Sequence, residues 1–169
     1  MSGYALAVCD DHPDEALTAA EESVRLIEAG AGDTAYSGAL SLGATLRAAG
    51  GDYAGAAGAL RTAIVHDAAT GNRNSMAAAV TCTALVLAGL PDTFEAAATL
   101  AGAGAGPVLG VVPALLTRPQ QDRHQHGLTE VAATLGAERY ADAHQRGAAM
   151  TYDQIIAYTL EQLDRVADL

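Results

Sequence analysis

Alanine occupies 40 of the 169 positions of this chain, and only 4% of the residues are aromatic. Alanine has the highest helix propensity and the smallest apolar side chain, so it favours helices whose backbones approach closely. A β-sheet core would need more β-branched and aromatic residues. The composition therefore predicts an all-α protein, and the length is that of one domain with a single core.

The first predicted helix begins at Pro13, because a proline is well tolerated at the first helical position. Asp14 and Glu15 complement the positive end of the helix dipole. Gly30 and Gly32 end the helix. One apolar face follows from the spacing of Ala16, Ala20, Val24 and Ile27.

Two helix–turn–helix pairs are predicted next. Gly50 and Gly51 separate the helices of one pair, and residues 89–92 separate those of the other. The first pair has apolar stripes at Tyr36, Leu40, Gly43 and Leu46 and at Tyr53, Ala56, Leu60, Ala63 and Ile64. The second has them at Met76, Val80, Ala84 and Leu87 and at Phe94, Ala97, Leu100 and Ala101.

Three segments of the chain can be superimposed on one another: residues 11–27, 51–64 and 90–101. Each is a turn containing Asp followed by an alanine-rich helix, and their starts are about 40 residues apart, a spacing typical of helical-hairpin repeats. A single hairpin cannot bury its own apolar face. The sequence therefore predicts antiparallel helical hairpins stacked as a short α-solenoid, with about three degenerate hairpins over residues 1–104.

One of these hairpins resembles a tetratricopeptide repeat (TPR). The resemblance rests on small and apolar residues at matching positions: Leu42, Gly43, Leu46, Gly51, Asp52, Tyr53, Ala56, Leu60 and Ala63. In that family a small residue on the first helix lets the second pack closely. The resemblance implies a TPR-like solenoid.

The last third of the sequence changes character. Gly102, Gly104 and Gly106 predict a flexible connector rather than a phosphate-binding loop, since an alanine-rich helix precedes them and Pro107 follows. Helices are expected from Pro119, with Leu128, Val131, Ala132 and Leu135 buried, and from Ala137 up to a stop at Gly147. Thr151 and Gln154 have the form of a capping box that opens a last helix, with Ile156, Leu160, Leu163 and Ala167 on its buried face. We expect residues 105–169 to form a C-terminal helical cap on the last repeat, within one structural domain.

This tail is similar to the extreme C-terminus of actinobacterial signalling ATPases of the STAND and LuxR type. The likeness covers residues 75–165 and is carried by residues 87–89, 95–102, 135–140, 147–151 and 158–160, together with Ala143. It implies a parent chain with an ATPase domain, TPR-like repeats and, in many members, a DNA-binding or adenylate cyclase-like domain. Ala148 stands where Arg is common in the family, which removes any role of that Arg here.

Charge and hydropathy exclude several classes of partner. The net charge is −11, and all nine basic residues are Arg without a dense cluster, so direct nucleic-acid binding is not expected. No apolar run reaches the length of a membrane span, and Met1 is not followed by the basic segment of a signal peptide. The sequence predicts a cytoplasmic protein without membrane contact.

No catalytic, cofactor or metal motif is present in the sequence. His124 and His126 are two residues apart, so on a helix they point in different directions, and we expect both to be exposed. Cys9 and Cys82 lie far apart in apolar stretches and are expected to be buried free thiols. We therefore expect neither an enzyme nor a bound cofactor.

The function expected from these features is that of a non-catalytic interaction or regulatory module. The preferred context is the C-terminal part of a multidomain regulator, in contact with a partner or with the other domains of its parent chain; the alternative is a free-standing adaptor that binds a peptide. Its oligomeric state is left open. A partner groove would be lined by polar residues of the first helix of each pair. The candidates are Ser41, Thr45, Arg47, Arg73, Asn74 and Thr81.

Overall fold

The computed structural model describes residues 12–31, 35–109 and 118–168. Within these ranges the chain forms eight α-helices and no β-strand, which confirms the all-α prediction. The helices are α1 (Pro13–Leu26), α2 (Tyr36–Ala49), α3 (Tyr53–Thr70), α4 (Arg73–Leu87), α5 (Phe94–Ala105), α6 (Arg118–Leu135), α7 (Ala137–Ala148) and α8 (Tyr152–Ala167). A π-helical turn, Ile27–Ala31, extends α1, and a 3₁₀ turn, Pro91–Thr93, precedes α5.

Side-chain caps define several helix starts. Asp52 accepts a hydrogen bond from the Gly55 amide at 2.8 Å, and Asn72 accepts one from the Ser75 amide at 3.2 Å. Thr151 opens α8 with the predicted capping box. Each cap satisfies amide groups that the first helical turn leaves without partners.

The first five helices pack as neighbours in chain order. Helices α2 and α3 form one hairpin and α4 and α5 another; α4 contacts both α2 and α3, and α1 packs on α2. Three alanines at the fourth position of their helices, Ala16 of α1, Ala56 of α3 and Ala97 of α5, are completely buried. Small side chains at these positions allow close approach between helices.

The last three helices return over this array. Helix α7 packs closely on α5, while α8 packs mainly on α3 and also meets α4 and α5. Arg73 at the start of α4 contacts the ring of Tyr152 at the start of α8, and Arg61 of α3 binds Asp164 further along α8. Because Arg73 follows the C-terminal end of α3, these two contacts orient α8 antiparallel to α3.

The glycine-rich stretch was wrongly predicted to be a flexible connector. Helix α5 continues to Ala105, and Gly102 lies buried inside it. A Cβ atom at Gly102 would overlap the carbonyl oxygen of His144, and one at Gly147 would overlap that of Thr99. These glycines therefore let α5 and α7 cross with their backbones in contact, and Gly147 does not stop its helix, which runs on to Ala148.

The buried face of α8 also differs from the prediction. The buried residues are Ile155, Thr159, Gln162, Leu163 and Val166, whereas Ile156 and Leu160 are half-buried and Ala167 is exposed. The predicted face was chosen from apolar residues alone, so it left out Thr159 and Gln162, which are polar but buried. The observed buried face of α8 is therefore displaced to one side of the predicted one. The predictions for Cys9 and Gly32 lie outside the described residues.

Candidate functional site

A cleft of about 360 Å³, here called the apolar cleft, lies between α2, α3 and α4. Leu46 of α2, Tyr53 of α3 and Leu85 of α4 form much of its surface, and Thr45 and Arg123 contribute polar groups. The remaining lining residues are Pro13, Ala48, Ala49, Val86 and Gly89. An apolar surface with few polar groups is the usual character of a binding pocket.

The turn between α2 and α3 shapes this cleft. Gly51 adopts a φ of 87°, a left-handed conformation that favours glycine, and it reverses the chain just before the cap at Asp52. Tyr53 then follows at the first position of α3. Its hydroxyl donates to the carbonyl oxygen of Gly89 at 3.3 Å, which fixes the ring against the end of α4.

A second cleft of about 500 Å³, here called the acidic cleft, adjoins the first and shares Pro13, Leu46 and Ala49 with it. Its rim carries the carboxylates of Asp14, Glu21 and Asp52. Its other lining residues are Leu17, Arg47 and Gly50.

Arg47 crosses the acidic cleft and binds two of these carboxylates. Its Nη2 lies 2.8 Å from Glu21 Oε1, and its Nη1 lies 3.7 Å from Asp52 Oδ2. One cation thus faces three anions, so the rim keeps a net negative charge. A positively charged group would be attracted there, with a strength that falls as salt is added.

The six predicted partner-binding residues do not share one groove. Thr45 lines the apolar cleft, and Arg47 lines the acidic cleft. Arg73 and Asn74 are exposed at the opposite end of the array, where Arg73 stacks 4.7 Å from the centre of the Tyr152 ring. Thr81 donates to the Ala77 carbonyl oxygen and lies against Gly104 of α5.

Ser41 corrects the prediction of a polar surface face. Its side chain is buried, and its hydroxyl oxygen has no hydrogen-bond partner. The sequence pattern placed Ser41 on a polar face of α2, but this side of the helix is covered in the folded chain. Ser41 therefore cannot contact a partner at the surface.

Sequence reasoning missed a polar cluster where α3 ends and α8 begins. Asp67 is completely buried and accepts a 2.6 Å hydrogen bond from the Ser37 hydroxyl. Burial raises the pKa of Tyr152, which the charge of Arg73 opposes and that of Asp67 reinforces. A buried Asp lies at a helical position otherwise occupied by apolar residues, so no local pattern reveals it.

The thiol and the two candidate histidines differ in environment. Cys82 is buried and free, as predicted, and burial raises its pKa to about 12, so its reactive thiolate form is disfavoured. His124 is half-buried instead of exposed, and burial lowers its pKa. His126 is exposed, and its Nε2 lies 3.4 Å from Glu130 Oε1. Among the described residues no group of three or more His, Cys, Asp or Glu side chains could hold a metal ion.

None of the helices in residues 12–31, 35–109 and 118–168 combines the length and the apolar character needed to cross a membrane. Comparison with known proteins adds no family to these observations: no protein-family model matches the chain, and no characterised protein or solved structure is significantly similar to it.

Proposed function

We propose that this chain is a non-catalytic, TPR-like interaction module that binds a peptide or a protein segment in the apolar and acidic clefts. The observation that carries the proposal is the continuity of the two clefts, which share Pro13, Leu46 and Ala49. A large apolar side chain would occupy the cleft beside Tyr53, and an adjoining Lys or Arg would face Asp14. Apolar anchors with charged neighbours are a common basis of peptide recognition.

Two features support the repeat architecture within this proposal. Ala16, Ala56 and Ala97 are completely buried at the same position of α1, α3 and α5, which agrees with the sequence repeat of about 40 residues. In addition, α4 contacts both helices of the preceding hairpin, as a stacked first helix does in a solenoid.

The proposed context is the C-terminal part of a cytoplasmic STAND or LuxR-type regulator, in which the clefts would contact a partner or another domain of the parent chain. The support is the likeness of residues 75–165 to such tails. A free-standing adaptor is the alternative. A gene that continues upstream into a nucleotide-binding motif would favour the regulator, and a gene that lacks this motif would favour the adaptor.

The binding proposal can be tested by selecting peptides from a random library against the full chain. We expect selected peptides to combine one large apolar residue with neighbouring Lys or Arg, and to bind more weakly as salt increases. Thr45→Arg fills the edge of the apolar cleft and should weaken binding by about tenfold or more.

Thr62→Arg is the matched control. Thr62 is exposed on α3 and donates to the backbone of its own helix, as Thr45 does on α2, but it lines neither cleft. It should leave the affinity unchanged. Failure to select any peptide, or an equal loss of affinity in both variants, would contradict the proposal.

A further inference from the structure

Helix α1 forms one wall of the acidic cleft and the Pro13 edge of the apolar cleft. Among the described helices it packs extensively on α2 alone. The Ser23 hydroxyl, buried on the side that faces α2, donates to the Ala19 carbonyl oxygen of its own helix at 2.7 Å. The buried residues of α1 are all small: Ala16, Ala19, Ala20 and Ser23. Since an alanine buries only one methyl group, this interface removes little apolar surface from water.

The larger apolar side chains of α1 add little to the interface. Leu17, Val24 and Ile27 are only half-buried, and Leu26 is 42% exposed. The alanines pack with Leu42 in a cluster that is separate from the main core. Helix α8, by contrast, contributes a completely buried Leu and a completely buried Val to the main core. Undocking α1 therefore exposes less apolar surface than undocking α8 would.

An ion pair, here called the latch, links α1 to the end of α2. Arg47 Nη2 lies 2.8 Å from Glu21 Oε1, and the two side chains are 34% and 44% exposed. Ion pairs with this exposure contribute weakly and are weakened further by salt. The same guanidinium also faces Asp52 of the α2–α3 turn, so Arg47 keeps a partner when Glu21 moves away.

The π-helical turn that follows α1, Ile27–Ala31, has the features of a hinge. Gly30 adopts a φ of 98°, a left-handed conformation that interrupts the helix and favours glycine. The Tyr36 hydroxyl donates to Glu28 Oε1 at 3.1 Å, which ties this turn to the start of α2. Hinges are usually a few residues at the end of an element that absorb changes in φ and ψ. The turn can therefore stay attached to α2 while α1 moves.

We propose that α1 is a hinged wall of the two clefts. It undocks from α2 about the turn Ile27–Ala31 while α2 to α8 stay folded, and the latch holds it in the docked position. Only the docked position keeps Pro13 beside Leu46 and Ala49, where the two clefts join. One consequence rests on the proposed function: a peptide that contacts Pro13 and Leu46 together holds α1 docked. The undocking itself requires no peptide.

Thiol labelling of the full chain measures the undocking. Ala16→Cys places a thiol in the interface of α1 with α2, and Ala97→Cys places one at the same position of α5; both alanines are completely buried. Each chain also carries Cys9→Ser, and Cys82 is buried in both. Relative to the rates in urea, the thiol of Ala16→Cys should react about tenfold faster or more, because a local opening exposes it. Circular dichroism confirms folding, and Ala57→Cys of α3 replaces Ala97→Cys if that variant does not fold.

A pair of neighbouring carboxylates tests the latch. Glu21→Gln removes its charge at unchanged side-chain length and should speed labelling of Ala16→Cys about threefold. Glu22→Gln is the matched control, because Glu22 lies 2.8 Å from Arg25 of its own helix and lines neither cleft. It should leave the labelling rate unchanged. Added salt should speed labelling while the latch is intact, but not after Glu21→Gln.

A disulfide between α1 and α2 gives the converse test. A Cβ atom at Gly43 would lie 3.8 Å from the Ala20 Cβ, which is close to the mean separation of about 3.8 Å in disulfides. A helix of 14 residues is marginal when it is not packed, so the amides of undocked α1 exchange with solvent. Oxidation of the chain with Ala20→Cys and Gly43→Cys should slow amide exchange in α1 about tenfold or more and leave α5 unchanged.

Equal labelling of Ala16→Cys and Ala97→Cys, or exchange in α1 that the disulfide does not slow, would overturn the proposal. A selected peptide at ten times its Kd should slow labelling of Ala16→Cys about tenfold. If it leaves that rate unchanged, α1 is not a wall of the peptide site. If no peptide can be selected, the proposed function fails, while labelling of the free chain still decides whether α1 undocks.

Discussion

The two ends of this molecule use small residues with opposite results. At the C-terminal end Gly102 and Gly147 bring α5 and α7 into backbone contact. At the N-terminal end Gly43 faces α1, but a Cβ atom there would still lie 3.8 Å from the Ala20 Cβ, an ordinary contact distance. The first crossing leaves no space, whereas the second is bordered by clefts.

The cores of the two ends differ in the same way. Most of the buried apolar residues belong to one cluster that includes α3 to α8 and also Ala44 of α2. Helices α1 and α2 form a separate small cluster of Ala16, Ala19, Ala20 and Leu42. Alanine side chains bury little area, so this contact contributes less to stability than the main core does. The comparison suggests a rigid C-terminal scaffold that supports an N-terminal binding surface.

The largest expected effect is that of Gly147→Ala, since the added methyl group overlaps the Thr99 carbonyl oxygen. Separating α5 from α7 should lower the free energy of unfolding by about 3 kcal/mol, near the upper range for overpacking. Gly43→Ala is the matched control at the other end. It should be neutral or raise stability by about 0.5 kcal/mol, because alanine favours helices. Urea unfolding measures both, and equal losses would contradict the comparison.

A leucine pair tests the two cores. Leu163 of α8 is completely buried in the main cluster, and its replacement by Ala should cost about 3 kcal/mol. Leu42 of α2 is 5% exposed in the small cluster beside the clefts, and Leu42→Ala should cost about half as much, since the site can relax. The changes in the free energy of unfolding follow from the midpoints of denaturant unfolding when the slope of the transition is the same in all variants. A larger cost at Leu42 would show that the N-terminal core is the stronger one.

Helix caps should not distinguish the two ends. Thr151→Ala removes the capping box of α8, and Asp52→Ala removes the cap of α3; each should cost about 1 kcal/mol. Thermal unfolding of both variants checks this expectation. A loss several times larger in either variant would mean that the residue has a packing role beyond capping.

The smallest effect concerns pH. Burial lowers the pKa of His124 below its ordinary value of 6.5, so the unfolded chain binds a proton more readily than the folded one. The contribution of His124 to stability is present above pH 6.5 and is lost as the pH falls toward the lower pKa of the folded state. His124→Gln should reduce this loss between pH 7 and pH 5, as measured by urea unfolding at each pH. Identical pH profiles for the variant and the unchanged chain would exclude the effect.

The helices were predictable because local chemistry determines them. Pro13, the cap at Asp52 and the box at Thr151 mark helix starts in the sequence and in the structure alike. The close crossing of α5 and α7 at Gly102 was not predictable. Gly102, Gly104 and Gly106 are also compatible with a flexible connector when the facing helix is unknown. Its partner Gly147 lies 45 positions away.

The candidate site was only partly predictable for a related reason. Thr45 and Arg47 lie on the clefts, but Ser41 on the same helix is buried, since tertiary packing decides which side of α2 is covered.

Hydrogen exchange of the full chain, with and without a peptide selected against it, tests the central claim most directly. We expect the peptide to slow amide exchange at the start of α1 and around the α2–α3 turn, while α5 and α7 exchange slowly in both states. Protection confined to α5 and α7, or fast exchange there without the peptide, would contradict a rigid C-terminal scaffold that supports an N-terminal binding surface.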